Sequence, residues 1–311
     1  MPHQSTHSVM FHHFHDAKHE PAQGSLDKVD FKNMINWLDK NYSLLGANDY
    51  KSKLLNGKLQ STDICLSFDD ALKCQYDIAV PVMKEFSIDA FFFVYSSAFS
   101  ENPDLLEVYR YFRTSAFNDI DEFYSDFFEV VEQKNALAYS EQKAIYTKLD
   151  YLSAFPFYTE NDKWFRYIRD QYLNGNEYCE IMNNLMRKKE FDLEKAKNLL
   201  WMTEDDLKDI DMQGHIIGLH SYSHPTQMSK LNKAEQELEY KKNHNHLTNL
   251  LGKSVTVMSH PCGDYNKDTL EILSNLGIEI GFRSSMSIKN ISSALEIPRD
   301  DHTNIFMEMR K

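Results

Sequence analysis

The chain has 311 residues, 42% of them hydrophobic and 26% charged, with a formal net charge of −13. That length suits a single α/β barrel carrying an insertion. The acidic balance excludes a protein built to hold a phosphate backbone, which needs clustered Lys and Arg, so no nucleic-acid partner is expected. The four cysteines, Cys65, Cys74, Cys179 and Cys262, lack CxxC spacing and read as buried thiols of a reducing compartment. The N-terminal stretch has no basic start followed by a long apolar core, so no signal peptide is expected. The densest apolar run, Ala90 to Tyr95, falls far short of the roughly 20 residues a spanning helix needs. The expected compartment is the cytoplasm, with no membrane span.

In chain order, short apolar runs alternate with helical patterns, which predicts an α/β fold. Strands are expected at Ser8–Phe14, Asp63–Phe68, Ala90–Tyr95, His215–His220, Ser254–Ser259, Ile278–Phe282 and Ala294–Pro298. A helix is expected over Ala71–Phe86, where Leu72, Tyr76, Ala79, Val80 and Met83 repeat at helical spacing. Two more are expected over Asn232–Leu251 and Tyr265–Leu276, the last capped by Asp264 or Asn266. From about Asn102 to Leu207 the chain is aromatic, acidic and poor in Gly, and reads as a largely helical insertion between the third and fourth strands. Its aromatics, among them Tyr109, Tyr111, Phe112, Phe155, Phe157, Tyr158 and Trp164, could stack on sugar rings, although core packing is the simpler reading of any one of them.

Four strand patterns end on titratable residues: Asp69-Asp70, His220-Ser221-Tyr222-Ser223-His224, Ser259-His260-Pro261-Cys262-Gly263-Asp264 and Arg299-Asp300-Asp301-His302. Parallel α/β architectures bind ligands at the C-terminal ends of their strands, so four such ends suggest one site. Taken singly, each has a plainer reading. Asp69-Asp70 could cap a helix, the histidines could be surface residues in a turn, and Pro261–Asp264 could be only a turn.

As a set in this order, the motifs resemble the polysaccharide deacetylase family, carbohydrate esterase family four with its NodB homology domain. Ser67-Phe68-Asp69-Asp70-Ala71 resembles its first motif, His220-Ser221-Tyr222-Ser223-His224 its second and, more weakly, Ser259-His260-Pro261-Cys262-Gly263 its third. Phe11-His12 is similar to the Tyr-His that ends the first strand of many members. The resemblance implies a distorted (β/α) barrel of about seven parallel strands, making residues 1–311 one catalytic domain with the helical insertion at about 102–207.

It also implies a divalent metal, zinc above all, on Asp70, His220 and His224, with Asp69 as general base. The implied substrate is an N-acetylated sugar or glycan, possessed of an acetyl group that a metal-dependent hydrolase would remove, and the Pro-Arg-x-Asp ending looks like a branch associated with surface-glycan assembly. The backbone N–H of Cys262 would help hold the oxyanion and His302 would serve as acid, with Asp300, Asp301 and His12 as alternatives. Ala71 replaces the family glycine, a change that a helix start tolerates. Ser259 stands where an arginine usually braces the base, and Arg299 could supply that charge from another side of the barrel. The alternatives are a barrel that binds glycan or metal without hydrolysis, and a metallohydrolase of another amide or ester.

Overall fold

A computed structural model describes residues 5–153, 158–287 and 293–310. The chain divides into two compact units, Met1–Asp104 with Asn198–Lys311, and Leu105–Lys197.

The first unit is a nearly closed barrel of parallel strands. They are β1 (His7–Phe11), the two-residue β2 (Ser43–Leu44), β3 (Asp63–Asp69), β4 (Phe91–Val94), β5 (Ile216–Leu219), β6 (Val257–Ser259), β7 (Ile280–Phe282) and β8 (Arg299–Asp301). Seven of them run in the order β7-β6-β5-β4-β3-β1-β8, and β2 adds to the start of β3. Ile297, just before β8, pairs in parallel with Phe282 of β7 and brings the two ends of the sheet together. That approach requires glycine at 281, where a Cβ would lie 2.5 Å from the Leu295 carbonyl oxygen.

Apart from β8, the strands are largely apolar on both faces because rings and aliphatic side chains fill the inside and helices cover the outside, as parallel sheets demand. Phe91, Phe93, Val257, Ile280, Phe282 and Ile297 form one fully buried cluster. Six of the expected strands lie where the hydrophobic runs are, with ends shifted by up to three residues. The seventh differs: Ala294–Pro298 supplies only the bridge at Ile297, and the strand proper is Arg299–Asp301. Arg299 therefore projects from within the sheet, where its charge is met internally, and hydrophobic patterning does not register such a strand.

The helix expected at Ala71–Phe86 comprises a π-turn, Gln75–Ala79, followed by α-helix Val80–Phe86. Pro81 has no N–H to return to Asp77, which accounts for the widened turn before it. Asn266 caps Lys267–Asn275 and Asn232 caps Lys233–Leu251, each in a reciprocal capping box. Cys65 and Cys74 are buried as expected, whereas Cys179 and Cys262 are exposed.

The second unit is helical, with Leu106–Ser115, Ile120–Lys134, Ala136–Tyr146, Glu160–Tyr167 and Gly175–Lys188 as its main elements. Tyr109, Phe112 and Trp164 are buried in its own ring-rich core, and Tyr111 and Tyr158 are half-buried. Phe155 and Phe157 lie outside the described residues. Among the described residues no helix is long and apolar enough to cross a membrane.

Candidate active site

Asp69 ends β3 and is buried, which by itself would push its carboxyl pKa up. Against that burial, the Arg299 guanidinium, joined by His220 and His12, holds the carboxyl well below the usual range. The contact is bidentate: Nη1 and Nη2 of Arg299 donate to Oδ1 and Oδ2 of Asp69, each at 2.7 Å. Arg299 also donates from Nη2 to Ser259 Oγ (2.7 Å), from Nη1 to Ser67 Oγ (3.4 Å) and from Nε to the Arg283 carbonyl (2.9 Å). Its five N–H donors thus meet five contacts, which is the full capacity of the group. Ser259, standing where the family arginine would be, becomes an acceptor for an arginine arriving from β8.

Asp70 and the two histidines converge beside this pair. His220 follows β5, and its Nδ1 lies 2.9 Å from the Ser259 carbonyl, so Nδ1 carries the proton. Nε2 is left with its lone pair facing Asp70 Oδ1 at 3.5 Å and Asp69 Oδ2 at 3.8 Å. Burial lowers the His220 pKa to about 3, which keeps the ring neutral. His224 Nε2 is likewise 3.5 Å from Asp70 Oδ1. One ligand atom from each of Asp70, His220 and His224 can be chosen so that all lie within 4.8 Å of one another. One carboxylate oxygen and two imidazole nitrogens form a donor set suited to zinc or a similar divalent ion, and these three residues could hold it.

The backbone is bent to bring these groups inward. Five of the eight described non-glycine residues with positive φ lie in loops at this end of the barrel: Asp70 (76°), Ala71 (53°), Ser221 (62°), His224 (54°) and Cys262 (53°). Such clustering of left-handed residues is a mark of functional loops. Ala71 is therefore not the ordinary helix-start residue expected from the sequence; it sits in a left-handed turn where glycine costs nothing. Ala71→Gly should leave stability within about 1 kcal/mol of the parent, because relief of strain offsets the greater freedom of the unfolded chain. Ala71→Val should cost about 2 kcal/mol or more in urea denaturation, since a β-branched residue fits that backbone poorly.

The supporting residues were not read from the sequence. Glu239 accepts from the N–H groups of Tyr222 (3.0 Å) and Ser223 (2.8 Å) and from Ser223 Oγ (2.8 Å), clamping the loop between the histidines. Asn243, one turn further along Lys233–Leu251, accepts from the His220 N–H at 2.9 Å and donates to the Val94 carbonyl and Ser96 Oγ. Gln75 donates to the backbone carbonyls of both His12 (2.9 Å) and Asp69 (2.6 Å), tying β1 to β3 at the site. The available signal for Glu239 and Asn243 was polar residues four apart on a helix face directed at the sheet.

The last motif is arranged differently from expectation. His302 begins helix His302–Met309, stacks on Phe11, and has Nδ1 at 3.2 Å from the Met10 carbonyl and Nε2 at 2.7 Å from that of Gly24. Both ring nitrogens face backbone, so the structure does not bring His302 to the carboxylates. The half-buried imidazole of His12 lies there instead, with Nε2 at 3.9 Å from Asp69 Oδ2 and from Asp70 Oδ2. Asp301 caps the last helix and Asp300 accepts from Asn304. Cys262 occupies the turn Pro261–Gly263 after β6. His260 is buried, donates from Nε2 to the Leu295 carbonyl and stacks on Tyr265, and burial lowers its pKa to about 4.

The comparisons with known proteins bear on the fold that carries this site. The family model described as polysaccharide deacetylase matches residues 176–281, about a third of the 311 residues, a span that includes both histidines and the turn at Cys262. The chain is similar to the polysaccharide deacetylases, and it has their fold. The Streptococcus pyogenes deacetylase PplD, solved in complex with acetate, superposes with a TM-score of 0.54 at 16% identity, over 96% of this chain and 93% of that one. IcaB from Ammonifex degensii gives 0.56 at 12% identity over 95% and 91%. The BpsB deacetylase domain from Bordetella bronchiseptica gives 0.53 at 12% identity over 97% of both chains. No curated protein matches the chain.

Proposed function

We propose that this chain is a metal-dependent hydrolase that removes an acetyl group, most simply an N-acetyl group, from a sugar or glycan. The observation that carries the reading is the pairing of Asp69, ionised on Arg299, with the convergent donors of Asp70, His220 and His224. The acetate held by the similar PplD fold is the acid such a reaction releases. The reading takes residues 1–311 as one catalytic domain, with the helical stretch at about 102–207 as its insertion. An inactive barrel was suggested by the missing arginine of the third motif, and Arg299 now stands against Asp69, where that charge is needed.

Zinc held on Asp70, His220 and His224 would lower the pKa of water towards roughly 7 and polarise the acetamide carbonyl. Asp69, kept ionised by Arg299, takes the proton of the attacking water. The Cys262 backbone N–H is the donor we assign to the carbonyl oxygen as it gains charge. When the C–N bond breaks, the departing amine needs a proton, and His12 is the acid we assign to that step.

The test is acetate release across N-acetylated sugars, from monomers to polymers, measured with metal content. Metal-dependent release supports the reading, and its absence from every substrate with the metal bound would refute it. For the acid, His12→Ala should reduce kcat by about 10²-fold or more. His302→Ala should act mainly on stability, lowering Tm while leaving kcat of the folded fraction close to the parent; the reverse pattern would return the role to His302.

A further inference from the structure

His220, Asn243, Ser96, His246 and Glu204 are joined by a chain of hydrogen bonds whose direction is fixed by the groups in it. The Val94 carbonyl can only accept, so the amide of Asn243 turns Nδ2 to it at 2.9 Å. The amide oxygen Oδ1 then faces the His220 N–H at 2.9 Å, an N–H it shares with that same carbonyl. Asn243 Nδ2 also lies 2.6 Å from Ser96 Oγ, which must accept from it. Ser96 is buried, and its own proton has one acceptor among the described residues, His246 Nδ1 at 2.8 Å. Nδ1 therefore carries the lone pair. The ring proton sits on Nε2 and goes to the Glu204 carboxylate at 3.0 Å.

Every donor in the chain points away from His220 and towards the carboxylate, so each bond polarises the next. Its members also sit where the polypeptide needs holding. Ser96 comes shortly before the chain leaves for the helical unit Leu105–Lys197, and Glu204 opens Glu204–Met212 shortly after it returns. His246 ties both to Lys233–Leu251, the helix that carries Glu239 and Asn243. Beside Ser96, the Ser97 N–H donates to the Tyr222 carbonyl at 2.7 Å, between the two histidines of the site. The Ser96–Ser97 corner thus grips the His220–His224 loop at two points, and His246 holds the corner.

We propose that His246 is a positioning residue for His220, acting through Ser96 and Asn243, with Glu204 holding its ring in the tautomer that accepts from Ser96. The proposal rests on the assignment of Asp70, His220 and His224 to the metal. Direct partners of a metal ligand are worth roughly 10–100-fold in affinity. His246 acts at one remove, so its share is smaller.

The experiment is zinc affinity, measured on the full chain by competition with a chromophoric chelator, together with NMR of its labelled imidazole nitrogens. His246 is expected as the Nε2–H tautomer. His246→Leu should weaken zinc binding by about threefold to tenfold with the stoichiometry unchanged. His246→Asn has the same shape as His246→Leu, but its amide oxygen can accept from Ser96, so it should regain most of the affinity. Ser96→Ala breaks the same link, should match His246→Leu, and carries the test if His246→Leu fails to fold. Zinc affinity unchanged in the folded variants overturns the proposal. So does an equal loss in His246→Leu and His246→Asn, which would reduce His246 to packing, or an Nδ1–H tautomer. A parent chain that binds no zinc overturns the metal assignment and the proposal with it, whereas zinc bound by the parent and untouched by these substitutions overturns the proposal alone.

Discussion

Arg299→Met should destabilise the protein by about 3–5 kcal/mol, because it leaves the carboxylate of Asp69 buried without its counter-charge. The guanidinium is completely buried and makes five contacts, two of them to Asp69, while only 3% of the Asp69 side chain is exposed. Lysine cannot reproduce that fork, so Arg299→Lys should recover only part of the loss. Asp69→Leu combined with Arg299→Met should be much more stable than Arg299→Met alone, since an apolar replacement removes both charges together. Urea denaturation of the three variants measures this. Equal stability of the single and double variants would show that the pair is not coupled.

The same pair has a defined pH signature in the metal-free protein. Burial alone would raise the Asp69 pKa, and Arg299, the largest opposing contribution, depresses it below the unfolded value. A depressed carboxylate contributes stability that is present above the unfolded pKa, about 3.9, and is lost as pH falls through the folded one. In Arg299→Met burial dominates and the sign reverses: the carboxyl is favoured when protonated, and the variant loses stability as pH rises. The gap between parent and variant should therefore narrow as pH falls from 7 towards 4. A gap independent of pH would mean that the charge of Asp69 is not what Arg299 balances.

Strand ends were legible because a buried parallel strand needs a continuous apolar run, and the polar residue that stops it marks the mouth of the barrel. Asp69, His220 and Ser259 were found that way, and the structure brings them together. Arg299 was placed opposite Asp69 only because a charge was needed there; its own strand, Arg299–Asp301, is polar and gives no hydrophobic signal. His302 was chosen by position after the last strand, and position alone does not give the direction of a side chain. A residue that opens a helix over β1 turns its ring onto Phe11, whereas His12, beyond the end of β1, turns towards the carboxylates. Helix Lys28–Asn41 was legible and missed: Phe31, Met34, Ile35 and Leu38 repeat at helical spacing and are all buried.

Asp69→Asn and His224→Ala should fail in different ways. Asparagine keeps the shape of Asp69 but cannot take a proton from water, so turnover should fall by about 10²–10⁴-fold. It also leaves Arg299 buried against a neutral group, so some loss of stability accompanies it and the folded fraction must be measured alongside. Asp70, His220 and His224 are unchanged in that variant, and zinc should still bind with one equivalent per chain. His224→Ala leaves Asp69 and Arg299 intact. The His224 N–H contact to Ser221 Oγ is a backbone one and survives, and alanine, carrying a Cβ like histidine, meets much the same backbone strain in the left-handed turn (54° at His224) as the parent. That variant should remain folded, lose zinc by equilibrium dialysis and lose acetate release with it. Zinc retained at full stoichiometry in His224→Ala would remove that residue from the donor set, and zinc lost in Asp69→Asn would mean that both carboxylates serve the ion. The division of roles between the adjacent aspartates stands only if the two variants separate, one keeping the metal without turnover and the other losing both.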